Sequence, residues 1–297
     1  MKNSLGLLLG LTAALCWGVS DFVARFASRR MGAYRALLFM QCAGFVGLSV
    51  FLAATGGLST ASSAGWRPWA LAFSAGVLNT VGSLALYYSF EVGVLTVVAP
   101  ISSSYPAITV ALAILSGERI HVLNAAGLGL TLMGLILAAA SFSTGSTPTA
   151  SRERRSKAQL SRGVGWALLS MISFGIMFWF LGFHVLPVLG AALSVWAIRI
   201  TTISMLLMGA APTRQSLSLP RGGVWWLLAA MGLIDTTAYV ANNAALHSGP
   251  VSILTVVASL YGAVTVLLAS IFLRERLGGT QWLGIALIFA GIILVSQ

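Results

Sequence analysis

Apolar residues in this chain fall into ten blocks, at residues 5–26, 34–54, 69–90, 95–116, 123–142, 164–183, 189–211, 224–246, 251–273 and 282–295. Most approach the roughly 20 apolar residues that a helix needs to cross a hydrocarbon core of about 30 Å. Backbone N–H and C=O groups have no water partner in that medium, and a helix satisfies them within one segment. The pattern therefore predicts an all-α membrane protein with ten transmembrane helices. The first block is too long for the apolar region of a signal peptide and lacks a small-residue cleavage site, so it reads as a retained helix.

The last five blocks echo the first five. A shift of 156 positions places Gly93 on Gly249, Ser103 on Ser259, Tyr105 on Tyr261 and Thr109 on Thr265. A shift of 157 places Trp17-Gly18 on Phe174-Gly175, Glu118-Arg119 on Glu275-Arg276, Gly127 on Gly284 and Gly134 on Gly291. Matches running from residue 17 to 134 mark an internal duplication. Because each repeat holds five helices, the second enters the membrane with opposite orientation. Inverted repeats of this kind recur in transporters, with the substrate site near the midplane where the repeats meet. The chain divides into a first repeat (1–142), a basic linker (143–161) and a second repeat (162–297). The linker carries Ser, Thr and Pro with Arg152, Arg154, Arg155 and Lys157, and reads as an exposed tether without a core of its own.

Composition adds weight to the membrane assignment. The chain is 58% hydrophobic and 8% charged, with a mean hydropathy of +0.94, beyond the usual range of a water-soluble domain. The formal net charge of +11 does not point to nucleic acid, because the basic residues sit between apolar blocks. Anionic headgroups and topology control account for them. Cys16 and Cys42 lie inside apolar blocks and suit a packing role.

Several stretches resemble a known family. Residues 252–261, Ser-Ile-Leu-Thr-Val-Val-Ala-Ser-Leu-Tyr, leading to Leu273-Arg274-Glu275-Arg276-Leu277, resemble the EamA-type signature of the drug/metabolite transporter superfamily. Ser104-Tyr105-Pro106-Ala107 with Gly117-Glu118-Arg119-Ile120 is similar, as is Ala14-Leu15-Cys16-Trp17-Gly18. The resemblance covers both repeats. It implies two inverted five-helix repeats in the cell (inner) membrane that export amino acids or other small metabolites, with no cofactor. The second half carries Gly262 where the family pattern of the first half has Pro106, so the two helices are not expected to bend identically.

Polar residues inside apolar blocks are the candidate site, since a charge at the middle of a membrane helix costs about 2.5–3.5 kcal/mol on insertion scales. Asp235 lies near the centre of its block, with Tyr239 and Asn242 on the same face. Asn79 and Ser83 occupy the equivalent places of the first repeat. Either Asp235 contacts substrate or a proton, or it pairs with Arg199 as an internal bridge. Asp21 with Trp17 is a further candidate, unless Asp21 only pairs with Arg25 one turn away. Pro100 and Pro106 bracket Ser102, Ser103, Ser104 and Tyr105, and are expected to bend or unwind the fourth helix so that some of these line the cavity. Ser259 and Tyr261 are the counterparts. Trp66, Trp69, Trp225, Trp226 and Trp282 suit an interfacial belt, and the Glu118-Arg119 turn suits fixing of loop geometry.

A secondary transporter of small molecules, with protons as a candidate co-substrate and lipids as surroundings, is the favoured reading. The competing reading is a membrane-embedded enzyme acting on a lipid-linked substrate, which calls for a cluster of acids, His or Arg at one interface. The six acidic residues are instead scattered. No phosphate-binding Gly-Lys-Ser/Thr loop is present, which argues against an ATP-driven pump. Orientation follows from charge. With ten helices, Arg25, Arg29, Arg30, Arg35, Arg152, Arg154, Arg155, Lys157, Arg162, Arg214, Arg221, Arg274 and Arg276 face away from the termini. Only Lys2, Arg67 and Arg119 share the termini's side. The positive-inside rule then makes the linker cytoplasmic and both termini external.

Overall fold

Runs of Leu, Ala, Val and Ile fold as helices, and every regular element among the described residues is helical. The structure is a computed structural model describing residues 2–57, 65–140, 150–220, 222–274 and 278–295. In chain order the helices are α1 (Lys2–Met31), α2 (Ala33–Ala54), α3 (Trp66–Val92), α4 (Leu95–Ser102), α5 (Pro106–Leu115) and α6 (Val122–Ala140). The second half holds α7 (Ala150–Phe180), a π-helical turn (Leu181–Val185), α8 (Leu186–Ala210), α9 (Val224–Ser248), α10 (Val251–Ala258), α11 (Tyr261–Phe272) and α12 (Gly279–Val295).

Seven described stretches are long and apolar enough to cross a membrane, among them Leu95–Leu115, Arg162–Ala210 and Val251–Phe272, and Val122–Gly134 forms a shorter apolar helix. The protein is an integral, multi-pass membrane protein. Its outer face shows Leu8, Leu15, Val46, Val50, Leu115 and Met208, all exposed, as suits a surface solvated by lipid tails. Trp66, Trp226 and Trp282 are exposed near helix starts, where an aromatic belt is expected.

Two departures from the sequence pattern have local causes. Residues 150–161, read above as part of a coreless tether, belong to α7. Their Ala, Arg, Glu, Lys, Gln and Leu are good helix formers, and neither Gly nor Pro interrupts them. The rest of the linker, 143–149, lies outside the described residues. Secondly, Arg162–Ala210 is helical by hydrogen bonding over its length, yet Gly190 has φ 68° and ψ −177°. Only glycine adopts that backbone without strain, and Gly190 interrupts the helix just after Pro187.

The two halves pack by exchange. α1 packs on α9 as α3 packs on α7; α1 meets α10 and α11 as α7 meets α4 and α5. Thr109 Oγ1 donates to Gly175 O at 2.8 Å, and its counterpart Thr265 Oγ1 donates to Gly18 O at 3.2 Å. Gly134 and Gly291 bring α6 and α12 into backbone contact: a Cβ on Gly134 would lie 2.6 Å from Gly284 O, and one on Gly291 2.6 Å from Gly127 O. Small residues at such crossings are how membrane helices gain close packing.

Both repeats break their fourth membrane segment at the same place. α4 ends at Ser102 and α5 starts at Pro106; α10 ends at Ala258 and α11 starts at Tyr261. The connecting residues keep tighter i to i+3 bonds, Ser104 N to Ile101 O at 3.1 Å and Leu260 N to Val257 O at 3.3 Å, as in a single 3₁₀ turn. The second break forms without a proline at Gly262. A Cβ there would fall 2.6 Å from Ser103 Cβ and 3.3 Å from Ala99 O, so Gly262 is what lets α4 and α11 cross.

Candidate functional site

The i,i+4 spacing that stacks side chains on one helix face recurs on three helices around a common cavity. Trp17 and Asp21 come from α1, Phe174 and Phe178 from α7, and Asp235 and Tyr239 from α9. Ser83, Leu86 and Tyr87 of α3, Met40 and Gln41 of α2, and Tyr105 and Tyr261 from the two helix breaks complete the lining. The empty space between these side chains is about 440 Å³, part of it open to the surroundings. Trp17 and Phe174, Asp21 and Phe178, Ser83 and Tyr239, and Tyr105 and Tyr261 are pairs related by the internal repeat. The cavity therefore lies where the two halves meet.

One wall is a buried ionic cluster. Arg199 of α8 is 1% exposed. Its Nη2 donates to Asp235 Oδ2 at 2.6 Å, and its Nη1 donates to Gln41 Oε1 and contacts Met40 Sδ at 3.6 Å. Its Cζ lies 5.8 Å from the centroid of the Tyr239 ring. Asp235 thus lines the cavity while paired with Arg199. Asp21, from the other repeat, is also buried, and its Oδ2 has no hydrogen-bond partner among the described residues.

Much of the remaining lining is aromatic. Trp17 packs edge-on against Tyr239 at 5.0 Å between centroids and against Tyr261 at 5.9 Å. Phe178 lies 5.7 Å from Trp17, 5.0 Å from Tyr105 and 6.2 Å from Tyr239. Tyr105 and Tyr261 stack at 6.2 Å. These rings are fixed through one another, and the Tyr105 hydroxyl also donates to Thr255 O at 3.4 Å.

Of the residues expected from sequence, Trp17, Asp21, Ser83, Tyr105, Asp235, Tyr239 and Tyr261 line the cavity. Asn79 stands behind it: its Oδ1 accepts from the Tyr239 hydroxyl at 2.5 Å and its Nδ2 donates to Thr202 Oγ1 at 3.0 Å. Asn242 is 1% exposed, away from the lining, with both amide atoms lacking a partner among the described residues. Ser102, Ser103 and Ser259 turn back on their own helices, donating to Ala99 O at 3.1 Å, Pro100 O at 3.2 Å and Val256 O at 2.7 Å. Serines that donate to the preceding turn have no donor left for a ligand, only acceptor lone pairs. The structure adds Met40, Gln41, Leu86, Tyr87, Phe174 and Phe178. Gln41 could have been found as an amide inside an apolar block, and Phe178 as the repeat partner of Asp21.

Glu118 fixes more than its own loop. Its carboxylate oxygens accept from Val251 N at 3.0 Å and Ser252 N at 3.1 Å, and from the Ser252 hydroxyl. A carboxylate from the first repeat thereby caps the N-terminus of α10 in the second, where orphan N–H groups and the helix dipole favour negative charge.

A helical membrane bundle with two exchange-related halves around a central cavity is the architecture of a transporter. The chain belongs to the EamA-like transporter family, which matches residues 4–140 and again residues 161–297. The uncharacterized protein MJ1333.1 of Methanocaldococcus jannaschii is 30% identical over 132 residues, covering 44% of this chain and 93% of that protein, about one repeat. A crystal structure, described only as that of a protein, superposes with a TM-score of 0.71 at 18% identity, covering 98% of this chain and 96% of that one. At that identity it speaks for the fold.

Proposed function

We propose that the protein is a secondary transporter of the cell (inner) membrane that exports small metabolites such as amino acids, by alternating access between two inverted five-helix repeats. The observation that carries this reading is the cavity at the junction of the repeats, lined from both by residues in matching positions. Ten crossings are supported by the length of Arg162–Ala210, whose 49 residues would extend about 74 Å as one helix, more than twice a bilayer core. They are supported too by what gathers at each end. Arg29 bonds Gly93 O at 2.8 Å, Arg35 bonds Ser218 O at 2.6 Å, and Gly93 lies against Gly163. At the other end Trp179 Nε1 bonds Ser116 Oγ at 2.8 Å, Glu118 caps α10, and Gly6 lies against Ser248. Ten alternating crossings put each of these groups on one side.

Counterflow tests the reading. Proteoliposomes preloaded with an unlabelled metabolite are expected to accumulate the labelled form when the protein is present, for at least one member of an amino-acid and amine panel. Absence of counterflow across the panel would sink the transporter reading. Orientation has its own expected result, from the concentration of basic residues on the loops facing away from the termini. A fluorescent protein that matures only in cytoplasm should stay dark when fused to the C-terminus, while an alkaline phosphatase fusion should be active. The reverse pair of results would place the termini inside.

A further inference from the structure

We propose that the cavity recognises its substrate through a protonated or quaternary amine, with Asp21 as the residue that takes this charge. The inference rests on the transporter reading above and names its substrate class. The lining contains two carboxylates, Asp21 and Asp235, and among the described residues no Lys, Arg or His. Asp235 already has its counterion in Arg199, which stands behind the lining with Nη2 on Asp235 and Nη1 on Gln41 and Met40. Asp21 is buried and presents an oxygen with no hydrogen-bond partner among the described residues. Arg25, one turn further along α1, is outside the lining. A carboxylate held in an apolar interior calls for a cation or a proton.

The walls beside Asp21 suit the same ligand. Trp17, on the same face one turn earlier, touches Phe178, Tyr239 and Tyr261, and ring faces attract ammonium groups. Behind the lining, the Arg199 guanidinium already lies over the Tyr239 ring. A substrate carboxylate is treated differently. It would enter a lining with two acids and no cation, with only Ser83, Gln41 and tyrosine hydroxyls as donors. The site therefore favours a monocation over the zwitterion of the same skeleton, and disfavours the anion most.

Three probes with one ring and different charge separate these cases: phenethyltrimethylammonium, phenylalanine and 3-phenylpropionate. Titration calorimetry on the purified full chain in detergent should show the cation binding about tenfold or more tightly than phenylalanine, with phenylpropionate weakest. Asp21→Asn should remove the preference, and Asp21→Glu, which keeps the charge, should retain most of it. If Asp21→Asn does not yield monodisperse protein, the order of the three probes on the parent decides alone. Phenylalanine binding as tightly as the cation, or a cation preference that persists in well-folded Asp21→Asn, overturns the inference. Counterflow of phenylalanine without a cation preference would overturn it while leaving the transporter reading in place. Cation binding with no counterflow of any panel member would do the opposite.

Discussion

Asp235→Asn protein is expected to insert and fold but to lose most of its transport, by about tenfold or more, whereas Arg199→Ala should mainly lower the yield of folded protein. The two partners of the 2.6 Å pair differ in what surrounds them. Asparagine keeps the shape of the cavity wall and an oxygen that can still accept from Arg199, which also retains Gln41. What changes is the charge exposed to the cavity. Alanine at position 199 instead removes the largest fully buried side chain among the described residues. It leaves Gln41 and Asp235 without their common donor and empties space between α2, α8 and α9. Removing one partner of a buried ion pair costs about 3–5 kcal/mol when the survivor is left uncompensated; the Asn variant still offers Arg199 an acceptor beside Gln41, whereas the Ala variant takes the Arg199 donor from Asp235 altogether. Counterflow rates measure the first effect, and size-exclusion yield after detergent extraction measures the second. An Asp235→Asn protein that transports at the parent rate would reduce the pair to an internal bridge.

Hydropathy marks the helix ends closely where a block folds as one helix: the blocks at 34–54 and 224–246 are Ala33–Ala54 and Val224–Ser248. It does so because a membrane segment must be apolar along its whole length, so its ends are marked by where polarity returns. The same property hides which face turns inward, since lipid and bundle interior are equally apolar to Leu, Val and Phe. Phe174 and Phe178 were thus invisible as lining residues, while Asp21 and Asp235 stood out, because a charge has no low-energy place on the lipid side. The serines between Pro100 and Pro106 show a different gap. A hydroxyl in a helix can always bond the preceding turn, and whether it does depends on packing that no local pattern records. Cross-repeat contacts, such as Glu118 on α10 or Asn79 behind Tyr239, join positions 133 and 160 residues apart. Only the duplicated pattern hinted that those stretches would meet.

Gly232→Ala is expected to abolish most folded protein, a larger effect than its single added methyl suggests. A Cβ on Gly232 would lie 2.4 Å from Met40 O and 2.8 Å from Gly44 N, and one on Gly44 2.8 Å from Gly232 O. The obstacles are backbone atoms on both sides, so no rotamer change relieves them and α2 must move away from α9. Overpacking that side chains can partly absorb costs about 1–3 kcal/mol; here that relief is missing. Moving α2 also separates Gln41 from Asp235, the two residues that hold Arg199 from opposite helices, so any protein that does fold should bind cavity ligands weakly. Two controls isolate the cause. Gly47→Ala meets only the Cδ2 and Cγ of Leu233 within 4 Å, a side chain that can rotate, and Gly129→Ala meets nothing within 4 Å. Gly129→Ala should if anything stabilise α6 by up to about 1 kcal/mol. Thermal unfolding followed by fluorescence-detected size exclusion reads all three. A Gly232→Ala protein that melts with the parent would mean that α2 and α9 can part without loss, and that the Arg199 cluster does not depend on their contact.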